Sequence, residues 1–258
     1  MDEIYRYISF ESFVDMVVRQ KLTFVHPSLW DDPYELRYLH QEIESKFEKA
    51  TSELDTEVLG AIMEYIIANK LYAQSWTSLA ESDALWRIYS HNNTSVRIAA
   101  KTEKIKLLDD VEIIEVDYVD SYEEVVSKKK NFYGLIGTKR KAFSHEHEVR
   151  LVKHYKYSGI DDMQEHLKAF LILHGHRDSF LKSVEMDKIS EEVSKLVKKT
   201  NENLQDKIQV LDFSEIDGFI ESVMLNPFAP EWFNETLKTF CEKNNLPYLG
   251  KSTLYDGT

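Results

Sequence analysis

Hydrophobic residues along this chain recur in two patterns, one typical of strands and one typical of helices. Segments of the two kinds follow each other in an irregular order. Runs rich in aromatic and β-branched residues predict strands at 4–8, 22–25, 71–77, 95–100, 111–119, 143–153, 208–211 and 219–225. Apolar residues spaced three or four apart predict helices after Ser9 and over 54–70, 82–91, 122–143 and 232–244. Residues 246–255 are expected to be extended.

This order of elements predicts an α+β fold, with a small curved or split mixed sheet flanked by helices. The pattern over 157–203 is mostly helical with a densely charged face, which indicates a helical insertion or lid. No linker rich in Pro, Gly or Ser interrupts the sequence. We therefore expect one domain over residues 1–258 that contains this insertion.

The segment 143–153 alternates polar and apolar residues. In a strand, Glu146, Glu148 and Arg150 would share one face, and His147 would lie on the other. Two carboxylates and a guanidinium cannot all be buried without partners. The segment is therefore either a solvated edge strand or part of a functional site.

Two other predicted strands carry polar residues in apolar surroundings, Arg6 between two tyrosines and Ser75 beside a tryptophan. A guanidinium suits a phosphate or carboxylate, and a serine hydroxyl can orient a ribose or a carboxylate. A carboxylate can stabilise the positive charge that develops when a glycosidic bond breaks. We expect a polar cleft formed by Arg6, Ser75, Glu146, Glu148 and Arg150, with Tyr7, Trp76 and Trp86 as walls.

Two further motifs have a structural and a functional interpretation. In Asp32-Pro33-Tyr34-Glu35, Asp32 can cap a helix that begins at Pro33, or Asp32 or Glu35 can lie in the cleft near Glu148. Trp86 and Tyr89, three residues apart on a helix, can pack in the core or stack on a ligand's ring.

Histidines raise the alternative of a metal site. His145 and His147 would share a strand face and could chelate one ion, but the HExxH spacing is absent. The run His174-Gly175-His176 is typical of a helix end with a left-handed glycine. The chain has one cysteine, Cys241, on an apolar helix face, where we expect it in the core. We predict no metal in the site.

Composition limits the class of protein. The net charge of −13 argues against bulk binding of nucleic acid, which requires Lys and Arg to displace counterions. The first residues lack the basic and apolar regions of a signal peptide, and no apolar run reaches membrane-spanning length. These features, with the single cysteine, predict a cytoplasmic protein that does not enter a membrane. The oligomeric state is left open.

Arg6, Ser75 and Glu148 follow one another on three separate predicted strands, and Glu148 ends a Glu-x-Glu motif. This order resembles the Arg–Ser–Glu signature of ADP-ribosyltransferases. The resemblance implies that Arg6 holds the phosphates or ribose of NAD, that Ser75 orients Glu148, and that Glu148 binds a ribose hydroxyl. It implies that Glu146 positions an acceptor. Residues 75–77 read Ser-Trp-Thr where that family has Ser-Thr-Ser, which leaves the role of Thr77 open.

More of the chain is similar to the bacterial family called domain of unknown function 2971. The shared blocks are Tyr-Arg-Tyr at 5–7, Asp-Pro-Tyr-Glu at 32–35, Ser-Trp at 75–76, Trp-x-x-Tyr at 86–89 and Glu-x-Glu-x-Arg at 146–150. The glycine that often follows the fourth block in that family is missing here. The resemblance implies a shared architecture and a shared polar site, without an activity.

The function expected from the resemblance to ADP-ribosyltransferases is cleavage of NAD, which is the substrate, with hydrolysis or transfer of ADP-ribose to a macromolecule. Arg6, Tyr7, Ser75, Trp76, Trp86, Tyr89 and Arg150 are the expected NAD-binding residues. Such an activity would suit a bacterial toxin or phage-defence effector. Two alternatives stay open: a nucleotide-binding module without turnover, and a metal-dependent nuclease or hydrolase.

Overall fold

The computed structural model describes residues 1–30, 32, 71–90, 92–127, 136–154 and 207–256. The strands of these residues are β1 Glu3–Ser9, β2 Lys21–Val25, β3 Leu71–Thr77, β4 Ser95–Lys101, β5 Val111–Glu115, β6 Asp117–Val119, β7 Thr138–Arg140, β8 Glu148–His154, β9 Ile208–Asp212, β10 Ser222–Leu225 and β11 Tyr248–Lys251. The helices are α1 Phe10–Arg19, α2 Asp83–Ile88, α3 Thr102–Ile105, α4 Tyr122–Ser127 and α5 Glu231–Lys243, with 3-10 turns at Pro27–Leu29 and Lys141–Glu146.

The first helix shows how local sequence sets an element's ends. Ser9 leaves β1 in an extended conformation, and its side chain accepts a hydrogen bond from the Ser12 backbone N–H, which caps α1. Phe13, Met16 and Val17 recur at helical spacing and are buried against the sheet. Gln20 ends the helix in the left-handed region, with φ of 51°.

The nine-stranded sheet of the described residues is open and mostly antiparallel, and helices flank it. Its main path runs β11-β10-β4-β1-β3-β2-β9, and β8 joins β5 to the other edge of β3. Only β10 and β11 run parallel within it. The α+β class with flanking helices is therefore confirmed for the described part of the chain. No helix there is long and apolar enough to cross a membrane.

The path of the sheet divides at β3. Along one edge, β8 pairs with all seven residues of β3, from Leu71 opposite His154 to Thr77 opposite Glu148. The opposite edge is shared, because β1 meets it at Thr77 and β2 meets it at Ala73. Between these two points, residues 74–76 have no ladder partner on that edge among the described strands. The divergence of β1 and β2 opens a wedge in the sheet.

The hydrophobic core lies on the face of the sheet covered by α1 and α5. It joins Phe13 of α1 and Leu237 and Cys241 of α5 to sheet residues such as Ile98 and Leu151, all fully buried. Burial of this apolar surface is the main stabilising contribution to the fold. The predicted core position of Cys241 is confirmed.

Three sequence predictions about elements are wrong. The helix predicted over 122–143 is wrong in its last part, because Thr138–Arg140 form strand β7, which pairs in parallel with β6, and a 3-10 turn follows at Lys141–Glu146. The strand predicted over 111–119 breaks at Val116, where the chain changes its partner from β8 to β7. The strand predicted over 219–225 begins only at Ser222.

The predicted strand 143–153 is also wrong in its first part. Residues 141–146 form a 3-10 turn, His147 is left-handed with φ of 43°, and β8 starts at Glu148. Glu146 therefore does not share a strand face with Glu148. The predicted helix 54–70 and the predicted insertion 157–203 lie outside the described residues.

Candidate functional site

A cavity of about 240 Å³ occupies the wedge between β1, β2 and β3. Its volume is below the range of about 300–1,000 Å³ that is typical of sites for drug-sized ligands. The lining consists of Tyr5, Arg6 and Tyr7 of β1, Thr23 and Val25 of β2, residues 73–77 of β3, and Trp30, Leu85, Tyr89, Glu146 and Glu148. Two walls with different electrostatics face each other across it.

The first wall is the acidic cluster, defined here as Ser75, Lys139, Glu146, Glu148 and Arg150. The register of β3 and β8 places Ser75 opposite Arg150, so Glu148 is its diagonal neighbour. The Ser75 hydroxyl donates to Oε1 of Glu148 at 2.7 Å. Arg150 donates from Nε to Oε1 at 2.9 Å and from Nη2 to Oε2 at 3.2 Å. The predicted pairing of Ser75 with Glu148 is thus present in the structure.

Lys139 completes the cluster from β7. Its ammonium donates to Oε2 of Glu146 at 2.7 Å and to Oε2 of Glu148 at 3.0 Å. Tyr118 lies opposite Lys139 in the β6–β7 pair, and its hydroxyl accepts a hydrogen bond from the Glu148 backbone N–H at 2.7 Å. The small parallel sheet therefore carries two residues that hold Glu148, and a single ammonium brings the two glutamates together.

Arg150 is the most enclosed charge of the site. Its side chain is 1% exposed, and Nη1 donates to the Ile136 carbonyl at 2.6 Å. The Trp30 ring covers the guanidinium at 4.3 Å from its centroid. Because these contacts and Glu148 surround the guanidinium, Arg150 holds Glu148 and contributes no surface to the cavity lining.

The charges of the cluster set its protonation states. Burial by itself would raise the pKa of Glu148, but the positive charges of Arg150 and Lys139 and the hydrogen bonds lower it to about 2. Burial would lower the pKa of Lys139, but the two carboxylates raise it above its ordinary value. At neutral pH Glu148 is therefore ionised and Lys139 is protonated, which excludes Lys139 as a nucleophile.

The second wall, called the Arg6 wall here, consists of Tyr5, Arg6, Tyr7 and Tyr89. Arg6 is half-buried in the cavity, and among the described residues its guanidinium has no hydrogen bond and no ion pair. Burial lowers its pKa to about 10, so it still carries a positive charge at neutral pH. A buried cation without a counter-ion is costly, and an anionic ligand would remove that cost.

The aromatic residues of the cavity include three that the sequence predicted, Tyr7, Trp76 and Tyr89. Tyr7 lines it and packs edge-on against Trp86, with ring centroids 4.7 Å apart. Trp86 itself is 1% exposed, lies outside the lining and donates its indole N–H to Glu81. Tyr89, which ends α2, lines the cavity and is 42% exposed. Of the helical pair, Trp86 therefore belongs to the core and Tyr89 to the site.

Polar side chains of β3 fix the shape of the wedge. Gln74 donates to the Thr23 carbonyl of β2 at 2.9 Å and accepts the Trp76 indole N–H at 2.8 Å. This bridge orients Trp76, which lines the cavity while it packs in the core. The Thr77 hydroxyl donates to the Glu146 carbonyl at 2.7 Å. Thr77 therefore holds the turn that presents Glu146.

The Asp-Pro-Tyr-Glu motif is described only at Asp32. This carboxylate forms a two-point ion pair with Arg140, at 2.9 Å and 3.2 Å, and is outside the cavity lining. Arg140 follows Lys139 on β7, so Asp32 ties the segment after Trp30 to the strand that carries Lys139. Glu35 lies outside the described residues, as does the run 174–178.

The described residues contain no group of three or more His, Cys, Asp or Glu side chains that could hold a metal ion. His145 lies in the 3-10 turn and His147 is the left-handed residue after it. The strand on which the two histidines were expected to share a face is therefore not formed at these positions.

No family model matches the chain, and neither the curated proteins nor the solved structures include one with significant similarity to it. The resemblances to ADP-ribosyltransferases and to the domain of unknown function 2971 stay predictions.

Sequence reasoning missed Trp30, Tyr118 and Lys139. Trp30 and Lys139 stand beside predicted motifs: Trp30 precedes the Asp-Pro block by two residues, and Lys139 precedes Glu146 by seven. Lys139 falls within the helix predicted over 122–143. On such a helix, a lysine is interpreted as a charge on the solvent-exposed face. A strand prediction at 138–140 would have shown Lys139 as an inward residue.

Proposed function

We propose that this protein binds NAD in the wedge and cleaves the bond between nicotinamide and ribose. The observation that carries the proposal is the convergence of Arg6, Ser75 and Glu148, from three strands, on one cavity in which Ser75 hydrogen-bonds Glu148. These are the residues to which the resemblance assigns the Arg–Ser–Glu signature. Arg6, which has no partner among the described residues, would supply the charge that a dinucleotide phosphate requires.

In the proposed reaction the bond between C1′ of the ribose and N1 of nicotinamide breaks. Nicotinamide leaves with the bonding electron pair and becomes neutral. The ribose carbon, positively charged in the transition state, takes a new bond from water or from an acceptor nucleophile, which loses a proton. The ionised Glu148 at the cavity surface would hydrogen-bond a ribose hydroxyl and stabilise this charge.

The cavity size limits how NAD can bind. A volume of about 240 Å³ suits one half of a dinucleotide better than the whole molecule. With phosphate at Arg6 and the ribose at Glu148, the nicotinamide half occupies the wedge. Tyr5, Tyr7, Trp30 and Tyr89 provide ring surfaces on which nicotinamide can pack. The adenosine half extends out of the wedge.

The test is nicotinamide release from NAD, measured by chromatography for the wild type, Glu148→Gln and Arg6→Lys, with and without cell lysate as a source of acceptor. We expect release by the wild type and a loss of at least about 100-fold in Glu148→Gln, because the variant lacks the negative charge. Arg6→Lys should bind NAD more weakly, since an ammonium lacks the two-point fork. Folding is checked by circular dichroism. No release under any condition would refute the proposal.

One observation favours a second function, a nucleotide-binding module without turnover. Glu148 already accepts four hydrogen bonds, from Ser75, Lys139 and two nitrogens of Arg150. A carboxylate has about four lone-pair positions, so Glu148 has none left for a ribose hydroxyl in this arrangement. Binding of intact NAD with no release of nicotinamide, measured by calorimetry and chromatography, would establish this function.

A further inference from the structure

We propose that Lys139 is an internal cation that occupies the place of the substrate's positive charge, and that it leaves Glu148 when substrate binds. This inference rests on the proposed function and concerns the regulation of the same site. It starts from the saturation of Glu148, because one of its four hydrogen bonds must break before the carboxylate can accept a ribose hydroxyl. The question is which partner moves.

Ser75 and Arg150 are fixed by the main sheet. They lie opposite each other on β3 and β8, strands that pair along seven residues, and Arg150 is also held by the Ile136 carbonyl and the Trp30 ring. Both bonds of Arg150 to Glu148 would have to break together, and this would separate the most enclosed cation of the site from its carboxylate. These partners therefore stay in place.

Lys139 differs from these partners because its backbone is outside the main sheet, although its ammonium also lies 4.8 Å from the centroid of the Phe143 ring. It belongs to β7, a strand of three residues whose ladder is with another strand of three residues outside the main sheet. Its side chain is 11% exposed, against 3% for Glu148 and 1% for Arg150. Lysine has a flexible stem and a compact ammonium, so it can swing away while its backbone stays.

Charge balance gives the consequence of this movement. With Lys139 in place, the two carboxylates of the cluster face two cations. Without it, Glu146 and Glu148 face Arg150 alone, and the cluster gains one negative charge next to the cavity. A ligand that carries an anion for Arg6 and a positive charge for the glutamates would therefore replace Lys139. The pyridinium and the cationic transition state of NAD cleavage carry that positive charge.

The first experiment tests the cation site without NAD. Lys139→Ala removes the ammonium, and propylammonium ion is added as its replacement, with propan-1-ol as the uncharged analogue. We expect propylammonium to raise the Tm of Lys139→Ala in a saturable way, and propan-1-ol to have no such effect. The matched control is Lys141→Ala, whose ion pair with Asp120 is more than 60% exposed on both sides and which should not respond. An equal response of both variants, or none, would overturn the cation site.

The second experiment decides between a mobile cation and a fixed positioning residue. Lys139→Met keeps the side-chain length and removes the charge, so we expect nicotinamide release at least about tenfold faster than in the wild type. Lys139→Arg should be no faster than the wild type. The double variant Lys139→Met, Glu146→Gln loses one positive and one negative charge, so the charge balance of the buried cluster is kept and folding is protected. It should also release nicotinamide faster than the wild type. Slower release by folded Lys139→Met and by the double variant would make Lys139 a positioning residue and refute the inference.

The two proposals fail in different ways. If no protein releases nicotinamide, the proposed NAD cleavage is wrong, and the propylammonium titration still decides whether the glutamates form a cation site. If the wild type releases nicotinamide and Glu148→Gln does not, NAD cleavage stands whatever the Lys139 variants show.

Discussion

The two walls of the cavity differ in how far their charges are already satisfied by the protein. In the acidic cluster, Glu148 accepts hydrogen bonds from Ser75, Lys139 and Arg150. On the Arg6 wall, across the same cavity, the Arg6 guanidinium has no hydrogen bond or ion pair among the described residues. The acidic cluster is therefore part of the folded framework, whereas Arg6 has no partner among the described residues and is available for the anionic ligand that we propose.

Because of this difference, one wall should contribute mainly to the stability of the fold and the other mainly to ligand binding. Groups that the fold has already paired stabilise the native state, and removing one partner leaves a buried charge. A buried charge that the fold leaves without a partner does not stabilise the native state, and its interaction energy is available to a ligand. Variants on the two walls should therefore affect different measurements.

The largest expected effect on stability is that of Arg150→Met. The change leaves Glu148 with Lys139 as its remaining cation in a buried site, and should lower the free energy of unfolding by about 3–5 kcal/mol. Urea denaturation measures it. The control is Lys101→Met, which breaks a half-exposed pair with Glu221 and should cost less than about 1 kcal/mol. Equal effects of the two variants would show that the cluster is not a framework element.

The next effect is a pH dependence. The folded-state pKa of Glu148, about 2, lies below its ordinary value of 4.5, so its contribution is complete above pH 4.5 and is lost as pH falls towards 2. The free energy of unfolding of the wild type should therefore exceed that of Glu148→Gln by an amount that shrinks from pH 5 to pH 2, on the order of 2–3 kcal/mol. A difference that stays constant over this range would contradict the low pKa.

A smaller effect on stability, with a clear effect on binding, is expected for Arg6→Met. Arg6 has no partner to lose among the described residues, and the change removes the cost of a partly buried cation, so the free energy of unfolding should stay the same or rise by about 1 kcal/mol. Binding of NAD or of ADP-ribose should weaken about 10- to 100-fold, because a hydrogen bond to a charged group contributes about 1.5–3 kcal/mol. Calorimetry measures it. Unchanged binding would remove Arg6 from the site.

For Trp30→Leu we expect an effect on stability between those of Arg150→Met and Arg6→Met. The ring covers the Arg150 guanidinium at 4.3 Å and also lines the cavity. Trp30 can therefore affect both the stability of the acidic cluster and the binding of a ligand. Loss of this cation–π contact should lower the free energy of unfolding by about 1–2 kcal/mol, measured by chemical denaturation. If nicotinamide packs on this ring, the variant should also bind NAD more weakly. Unaltered stability would show that Trp30 does not support Arg150.

Much of the fold could be predicted from local pattern. The strand at 71–77 and the helix after Ser9 have their predicted positions, because period-two alternation and a serine cap act within a few residues. The strand predicted over 111–119 and the helix predicted over 122–143 were wrong. Their strands form through pairing with residues distant in sequence, and that pairing overrides local propensity.

The candidate site divides in the same way. Its residue types could be predicted from local sequence: a guanidinium between tyrosines, a serine on a strand, and Glu148 two residues before an arginine, on the same strand face. Which of these side chains contact one another depends on the three-dimensional fold. The register of β3 and β8 sets Ser75 beside Glu148, the splaying of β1 and β2 opens the cavity, and the β6–β7 pair brings Lys139 to both glutamates. These contacts depend on which strands pair, and the pattern within one segment does not identify a partner strand that is distant in the sequence.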